Sequence, residues 1–239
     1  MRNGENTGTS SPRRHRRIVW LLLPLTLFAG AGAATRSPLF DIRTILVMGN
    51  RHLSWTGVIQ QAGLRTGENV LSLDADAIEQ RLERDPWVQS ASVHRSLLST
   101  VTIQVVERTP VAVVRRAGSF DLVAADGVAV SRSAGADGLP LLRRSGGTDH
   151  QAQAGPLSAL ATLDARTRGK VAMAWASEPS GIILRLRSGT RVTFGSATAL
   201  REKAAALSSI LSYAATRNDR LVALDLRSPA APRARFSST

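Results

Sequence analysis

Cysteine is absent from this 239-residue chain. That excludes disulfides, thiolate nucleophiles and cysteine-ligated metals, and it makes an oxidising compartment harmless. Lysine is nearly absent too. Of 31 basic residues only Lys170 and Lys203 are lysines, so 29 are arginines (31 − 2) against 18 carboxylates, for a net charge of +13. Aromatic residues make up 4% and the arginines are scattered. A nucleic-acid surface needs a basic stripe interleaved with aromatics, so no nucleic-acid partner is expected. The histidines, His15, His52, His94 and His150, lack H-x-x-x-H or H-x-E spacing, and no carboxylate pair frames them. No G-x-S-x-G, phosphate loop or dinucleotide fingerprint occurs. No catalytic residue, cofactor, metal or small-molecule substrate is therefore expected. Arg115-Arg116 and Arg143-Arg144 read as solvated pairs, His94 as a solvated strand residue, and Trp55 and Trp87 as core.

What is present begins at the N-terminus. Residues 1–17 read as a disordered, basic tail ending in Arg13, Arg14, Arg16 and Arg17. The uncharged run Ile18–Thr35 follows. As a helix its 18 residues span about 27 Å, close to a hydrocarbon core of about 30 Å. The arginines before it hold the N-terminus in the cytoplasm. The same residues also fit a cleaved signal peptide, with A-x-A sites at Ala29/Ala31 and Ala31/Ala33. Both readings send the rest of the chain out of the cytoplasm.

Residues 38–115 read as one small module. Phe40 and Ile42, then Ile45 and Val47, alternate as a strand, and Gly49-Asn50 is a turn with positive φ expected at Gly49. Ser54 caps a short helix ended by Gly63, and Asp74 caps a second one bearing Ile78 and Leu82. Pro86 stops that helix, and the period changes from helix to strand at Trp87. Ala91 and Val93, then Val101, Ile103 and Val105, face inward from two strands. The order is β-α-α-β-β, an α+β module.

Residues 118–236 read as a mixed β domain. Asp126-Gly127 turns a hairpin that explains Ala124–Gly127 without a metal. Residues 143–155 read as loop, with Pro156 in the first turn of a helix through Leu157, Leu160 and Leu163. Strands follow at 171–176, 182–186 and 190–194, then an Ala/Leu-rich helix at 198–217. Leu221–Arg227 alternates as a strand. Pro229 and Pro232 after it cannot donate ladder bonds and point to a sheet edge. Arg233-Ala234-Arg235-Phe236 reads as a last short strand.

These strings resemble a family. I-x-x-I-x-V-x-G-N-x-x-L-S, G-L-x-x-G-x-N-V-L-S-L-D, P-W-V-x-x-A-x-V-x-R and T-V-T-I-x-V-x-E-R stand in the order of the POTRA domain of the FtsQ/DivIB cell-division proteins. The D-x-x-G hairpin, Leu139-Pro140-x-Leu142 and x-D-L-R resemble that family's β domain. Leu98-Ser99-Thr100 stands where the family often has a proline, no tyrosine follows Arg227, and loop 143–155 has no counterpart. The resemblance implies a single-pass protein of the cell (inner) membrane, anchored rather than cleaved and sent to the division septum. It would recruit septal peptidoglycan synthesis through FtsB/DivIC-type and FtsL-type proteins and the FtsW–FtsI synthase. It implies partner contacts on the POTRA-like first strand at Ile45, Val47 and Gly49. It also implies capture of FtsB at the last sheet edge, with Arg227 on a partner carboxylate, Phe236 as apolar anchor, and Leu226, Arg233 and Arg235 beside them. From the residues alone Arg227 would only cap a strand end and Phe236 would fray. Charge alone favours another class, an anchored or secreted binder of anionic cell-wall polymers.

Overall fold

The computed structural model describes residues 38–96, 99–143, 150–217 and 219–237. The tail, its arginines and the apolar run Ile18–Thr35 lie outside them. Among the described residues no helix is long and apolar enough to cross a membrane. The chain divides into two compact units, one holding residues up to 82 and 91–105, the other 83–90 and 106 onward.

The first unit is built on a three-stranded sheet of β1 (Thr44–Met48), β2 (Val88–Ser96) and β3 (Thr100–Glu107), in the order β1-β3-β2. β1 runs parallel to β3, from Thr44 opposite Thr100 to Met48 opposite Gln104. Helices α1 (Trp55–Ala62) and α2 (Ala75–Leu82) lie between β1 and β2 in sequence, so the expected β-α-α-β-β order is present. Their caps follow local chemistry: Ser54 Oγ accepts from Gly57 N, Gly63 takes φ 68°, and Asp74 Oδ1 accepts from Ala77 N. Val58, Ala62, Ile78 and Leu82 from the helices are buried, as are Val93, Val101, Ile103 and Val105 from the sheet. Glu79 of α2 accepts from Val93 N at 2.7 Å, giving one amide of the edge strand β2 a partner.

Three expectations need correction here. Pro38–Phe40 forms a 3-10 turn rather than the start of a strand, and β1 begins only at Thr44. Trp55, expected in the core, is 60% exposed, because it is the first residue of α1 and Val58 and Ala62 already fill the inner face. The second helix ends at Leu82, ahead of Pro86. Asp85 then organises the change of period, its Oδ1 accepting from Trp87 N and its carbonyl from Val88 N.

The second unit is a nine-stranded sheet. Its strands are β4 (Pro110–Arg116), β5 (Ser119–Ala124), β6 (Ala129–Ser133), β7 (Leu141–Leu142), β8 (Val171–Ser177), β9 (Gly181–Leu186), β10 (Arg191–Gly195), β11 (Arg220–Asp225) and β12 (Arg233–Ser237). Their order is β12-β11-β10-β9-β8-β7-β4-β5-β6. β4–β7, β7–β8 and β10–β11 are parallel and the other pairs antiparallel. A parallel step needs a crossover. Helices α3 (His150–Thr162) and α4 (Ala165–Gly169) lie between β7 and β8, and α5 (Leu200–Arg217) between β10 and β11. α3 and α5 pack over one core that includes Leu157, Leu160, Ile182, Leu184, Val192, Phe194, Leu207, Leu221, Leu224 and Leu226.

Residues 110–115, expected in the first module, belong to β4 of this larger sheet. Pro110 is tolerated because it opens the strand. α3 starts at His150, so 150–155 is helix rather than loop and Pro156 sits inside it. Gly155 precedes that proline without the Cβ its ring would crowd. α4 has no counterpart in the sequence reading. It is five residues long, capped by Asp164 Oδ1 on Thr167 N.

Candidate partner-binding edges

β12 is an edge strand. Among the described residues it pairs only with β11, with Leu221 opposite Phe236, Ala223 opposite Arg235, and Asp225 opposite Arg233. Its other side carries the unpaired main-chain groups of an edge, a template for an added strand. Pro229 and Pro232 fall in the connection before β12. The edge therefore keeps every amide from Arg233 to Ser237 proline-free.

At the mouth of this hairpin Asp225 acts as a local hub. Its carboxylate accepts from Arg227 N at 3.0 Å, from Nε at 3.0 and 3.1 Å, and from Nη2 at 2.6 Å. The Arg227 hydrogen bonds, aided by the nearby charge of Arg233, hold Asp225 below the usual aspartate value despite the opposing pull of burial. Arg227, bonded to Asp225, is raised above its usual value. Arg227 is thus a member of an i, i+2 pair, with its side chain 65% exposed, rather than a free cation. An open cleft of about 380 Å³ lies against Asp225, Arg227, Ser228, Ala231 and Arg233. β11 ends at Asp225, so Arg227 lies just past the strand that the alternation extended through it, and the pair closes the strand's end.

The other expected contact residues divide by burial. Leu226 is fully buried and its amide donates to Thr193 O at 2.8 Å, so it anchors β11 and offers nothing to a partner. Phe236 packs on the core beneath α5, its ring 6.4 Å from Tyr213, and is not an exposed hook. Arg233 and Arg235 are exposed on the edge. In the first unit Ile45 and Val47 are half-buried, facing inward. β1 is also an edge, and the residues it shows to solvent are Leu46 and Met48, 47% and 57% exposed. That they alternate with Ile45 and Val47 was legible in the sequence. Gly49 has φ 84°, as expected, and a Cβ there would come within 2.1 Å of Val105 O. The sites on β1 and on β11–β12 belong to different units.

Other charged side chains find partners within the fold. Arg116 pairs with Asp121, and Arg115 stacks 5.3 Å from the Phe120 ring, so neither is simply solvated. Asp126 in the β5–β6 turn accepts from Arg108 Nε at 2.7 Å. Burial raises its affinity for a proton, but the bonds to Arg108 and Val128 N outweigh that and hold its carboxyl low. Arg108 also donates to Pro86 O and Val88 O. Lys203 is 1% exposed, with Nζ on Ser196 O at 2.8 Å, and desolvation lowers its affinity for a proton.

Among the described residues no three His, Asp or Glu side chains converge as metal ligands. Among the described residues the two sheets end in four edge strands, β1 and β2 in the first and β12 and β6 in the second. The FtsQ-type POTRA domain matches residues 40–108, and the C-terminal domain of cell division protein FtsQ/DivIB matches 112–227. Relatives agree. Cell division protein FtsQ of Streptomyces collinus is 33% identical over 84% of this chain and 83% of its own. FtsQ of Anaeromyxobacter sp. (strain K) is 31% identical over 90% and 80%. FtsQ of Corynebacterium glutamicum is 26% identical over 73% and 80%. The chain belongs to the FtsQ/DivIB family of cell-division proteins.

Proposed function

We propose that the chain is a single-pass scaffold of the division septum that captures an FtsB/DivIC-type partner by strand addition at β12. Through that partner and an FtsL-type protein it recruits the FtsW–FtsI synthase. Ile18–Thr35 serves as an uncleaved anchor, with Arg13, Arg14, Arg16 and Arg17 on the cytoplasmic side. The carrying observation is the proline-free open edge of β12, held by an anchored Leu226 and Phe236. Main-chain bonds from β12 supply affinity, and Arg233 and Arg235 select the partner side chains that come beside them. Arg227 acts with Asp225 as a pair that shapes the end of the hairpin.

Antiparallel strands alternate between amides that face the neighbour and amides that face away. Single prolines placed in turn at residues 233–237 therefore divide into two classes. One parity keeps the thermal transition and loses at least tenfold in affinity for the partner's extracytoplasmic segment, read by titration calorimetry. The other lowers the transition as well. Affinity unchanged at every position would remove β12 from the mechanism.

A further inference from the structure

The second unit's sheet is exposed, where it carries Arg185, Arg191 and Arg235, on the face turned away from its helices. α3 and α5 pack over the face formed by Ile182, Leu184, Val192, Phe194, Leu221 and Leu224. The alternate residues point the other way. The register lines them up across strands: Met173 lies opposite Arg185, Arg185 opposite Arg191, Arg191 beside Ala223, and Ala223 opposite Arg235. Three arginines therefore stand in one row across β9, β10 and β12, all exposed. Arg220 joins them, lining a cleft of about 390 Å³ with Arg185, Val222 and Ser237. Among the described residues Arg185, Arg191, Arg220 and Arg235 have no carboxylate partner. The carboxylate on this face, Asp225 in the next row, is taken up by Arg227. Like charges directly opposite on neighbouring strands are destabilising, so the Arg185–Arg191 pair costs the fold something and returns nothing within it.

We infer that this open face of β8–β12 is a docking surface for an acidic segment of a protein partner, continuous with the strand captured at β12. The inference rests on the reading of β12 as a partner edge and adds what the partner must carry beyond the captured strand. Charge complementarity sets the sign. Two features favour a peptide over a phosphate polymer: the main-chain edge at β12, and the half-buried Met173 and Trp175 that border the row, which a peptide's apolar side chains can cover. Distance sets the length. From β12 to β9 is three strand spacings, about 14 Å, which four or five extended residues cross. Carboxylates at alternate positions of that crossing reach Arg235, Arg191 and Arg185 in turn.

The test uses the full chain in phosphatidylcholine nanodiscs. The probe is a fluorescent twelve-residue peptide alternating aspartate and threonine, with asparagine–threonine peptide and polyphosphate of equal charge as comparators. The expected result is salt-sensitive binding of the aspartate peptide that falls at least tenfold in R185Q/R191Q and stays within threefold in R185K/R191K. R185Q/R191Q is expected to keep or raise the melting temperature, since it removes a like-charge pair. Unchanged binding in R185Q/R191Q, or no binding to wild type, overturns the inference. Polyphosphate binding tighter than the peptide overturns it in favour of a phosphate polymer. The proline variants of β12 keep the two readings apart. If they lose the partner while R185Q/R191Q retains it, the edge stands and the face falls, and the reverse pattern removes the edge instead.

Discussion

Gly49→Ala is the sharpest test of how the first unit is built. Gly49 follows β1, with φ 84°, and an added Cβ would lie 2.1 Å from Val105 O and 3.2 Å from its carbonyl carbon. The neighbour is main chain of β3, which cannot swing away as a side chain can. Two costs combine. Placing alanine in the left-handed region costs about 1 kcal/mol. Forcing β1 and β3 apart is overpacking, about 1–3 kcal/mol. The sum is about 2–4 kcal/mol, equivalent to roughly 30- to 900-fold in an opening equilibrium. Gly67 is the control: its φ is 89° with nothing within 4 Å of a Cβ, so Gly67→Ala carries the conformational cost alone. Amide exchange with mass-spectrometric readout separates the units. Peptides from β1 and β3 are expected to exchange faster by that factor in Gly49→Ala, while peptides from β9–β11 are unchanged. A change below about threefold in β1 and β3, or Gly67→Ala as damaging as Gly49→Ala, refutes the close approach of Gly49 to Val105.

Among the described residues Lys203 is buried without a carboxylate partner, so its charge is a cost rather than an asset. Lys203→Met is expected to stay within about 1 kcal/mol of wild type and Lys203→Glu to lose more than about 3 kcal/mol by denaturant titration. Asp225 has its folded-state affinity for a proton lowered from the usual 3.8 by Arg227. Its contribution is therefore present above that value and lost as pH falls through the lower, folded one. The stability gap between wild type and Asp225→Asn is expected at pH 7 and to narrow as pH falls below 3.8; a constant gap would contradict the pairing. Sequencing of the membrane-extracted protein is expected to give an intact N-terminus, and a mature start at Gly32 or Ala34 would establish a cleaved signal peptide.

Local period carried much of this structure. Val101, Ile103 and Val105 are buried as their alternation requires, and Ser54, Gly63 and Asp74 cap the helices their chemistry suits. Prolines misled where context overrode them. Pro110 opens a strand of the second sheet although residues 38–115 read as one module, and Pro156 sits inside a helix that begins at His150. Pro229 and Pro232 did mark a sheet edge, standing in the connection just before β12. The candidate site was legible in place but not in burial. Leu226 and Phe236 are hidden by pairing with β10 and β11 and by α5, contacts far apart in sequence. The row from Arg185 to Arg235 was out of reach for the same reason. It exists only once four strands are in register, while in the sequence its members are separated by ordinary polar stretches.

Capture of a division partner at β12 is tested most directly in living cells, with a photoreactive amino acid at Arg235 and, as control, at Glu178, exposed between β8 and β9. The expected result is a crosslink from position 235 to a small bitopic division protein, absent at 178 and lost when a proline of the binding-defective parity is added to β12. No crosslink at 235, or equal crosslinks at both positions, would contradict strand capture at this edge.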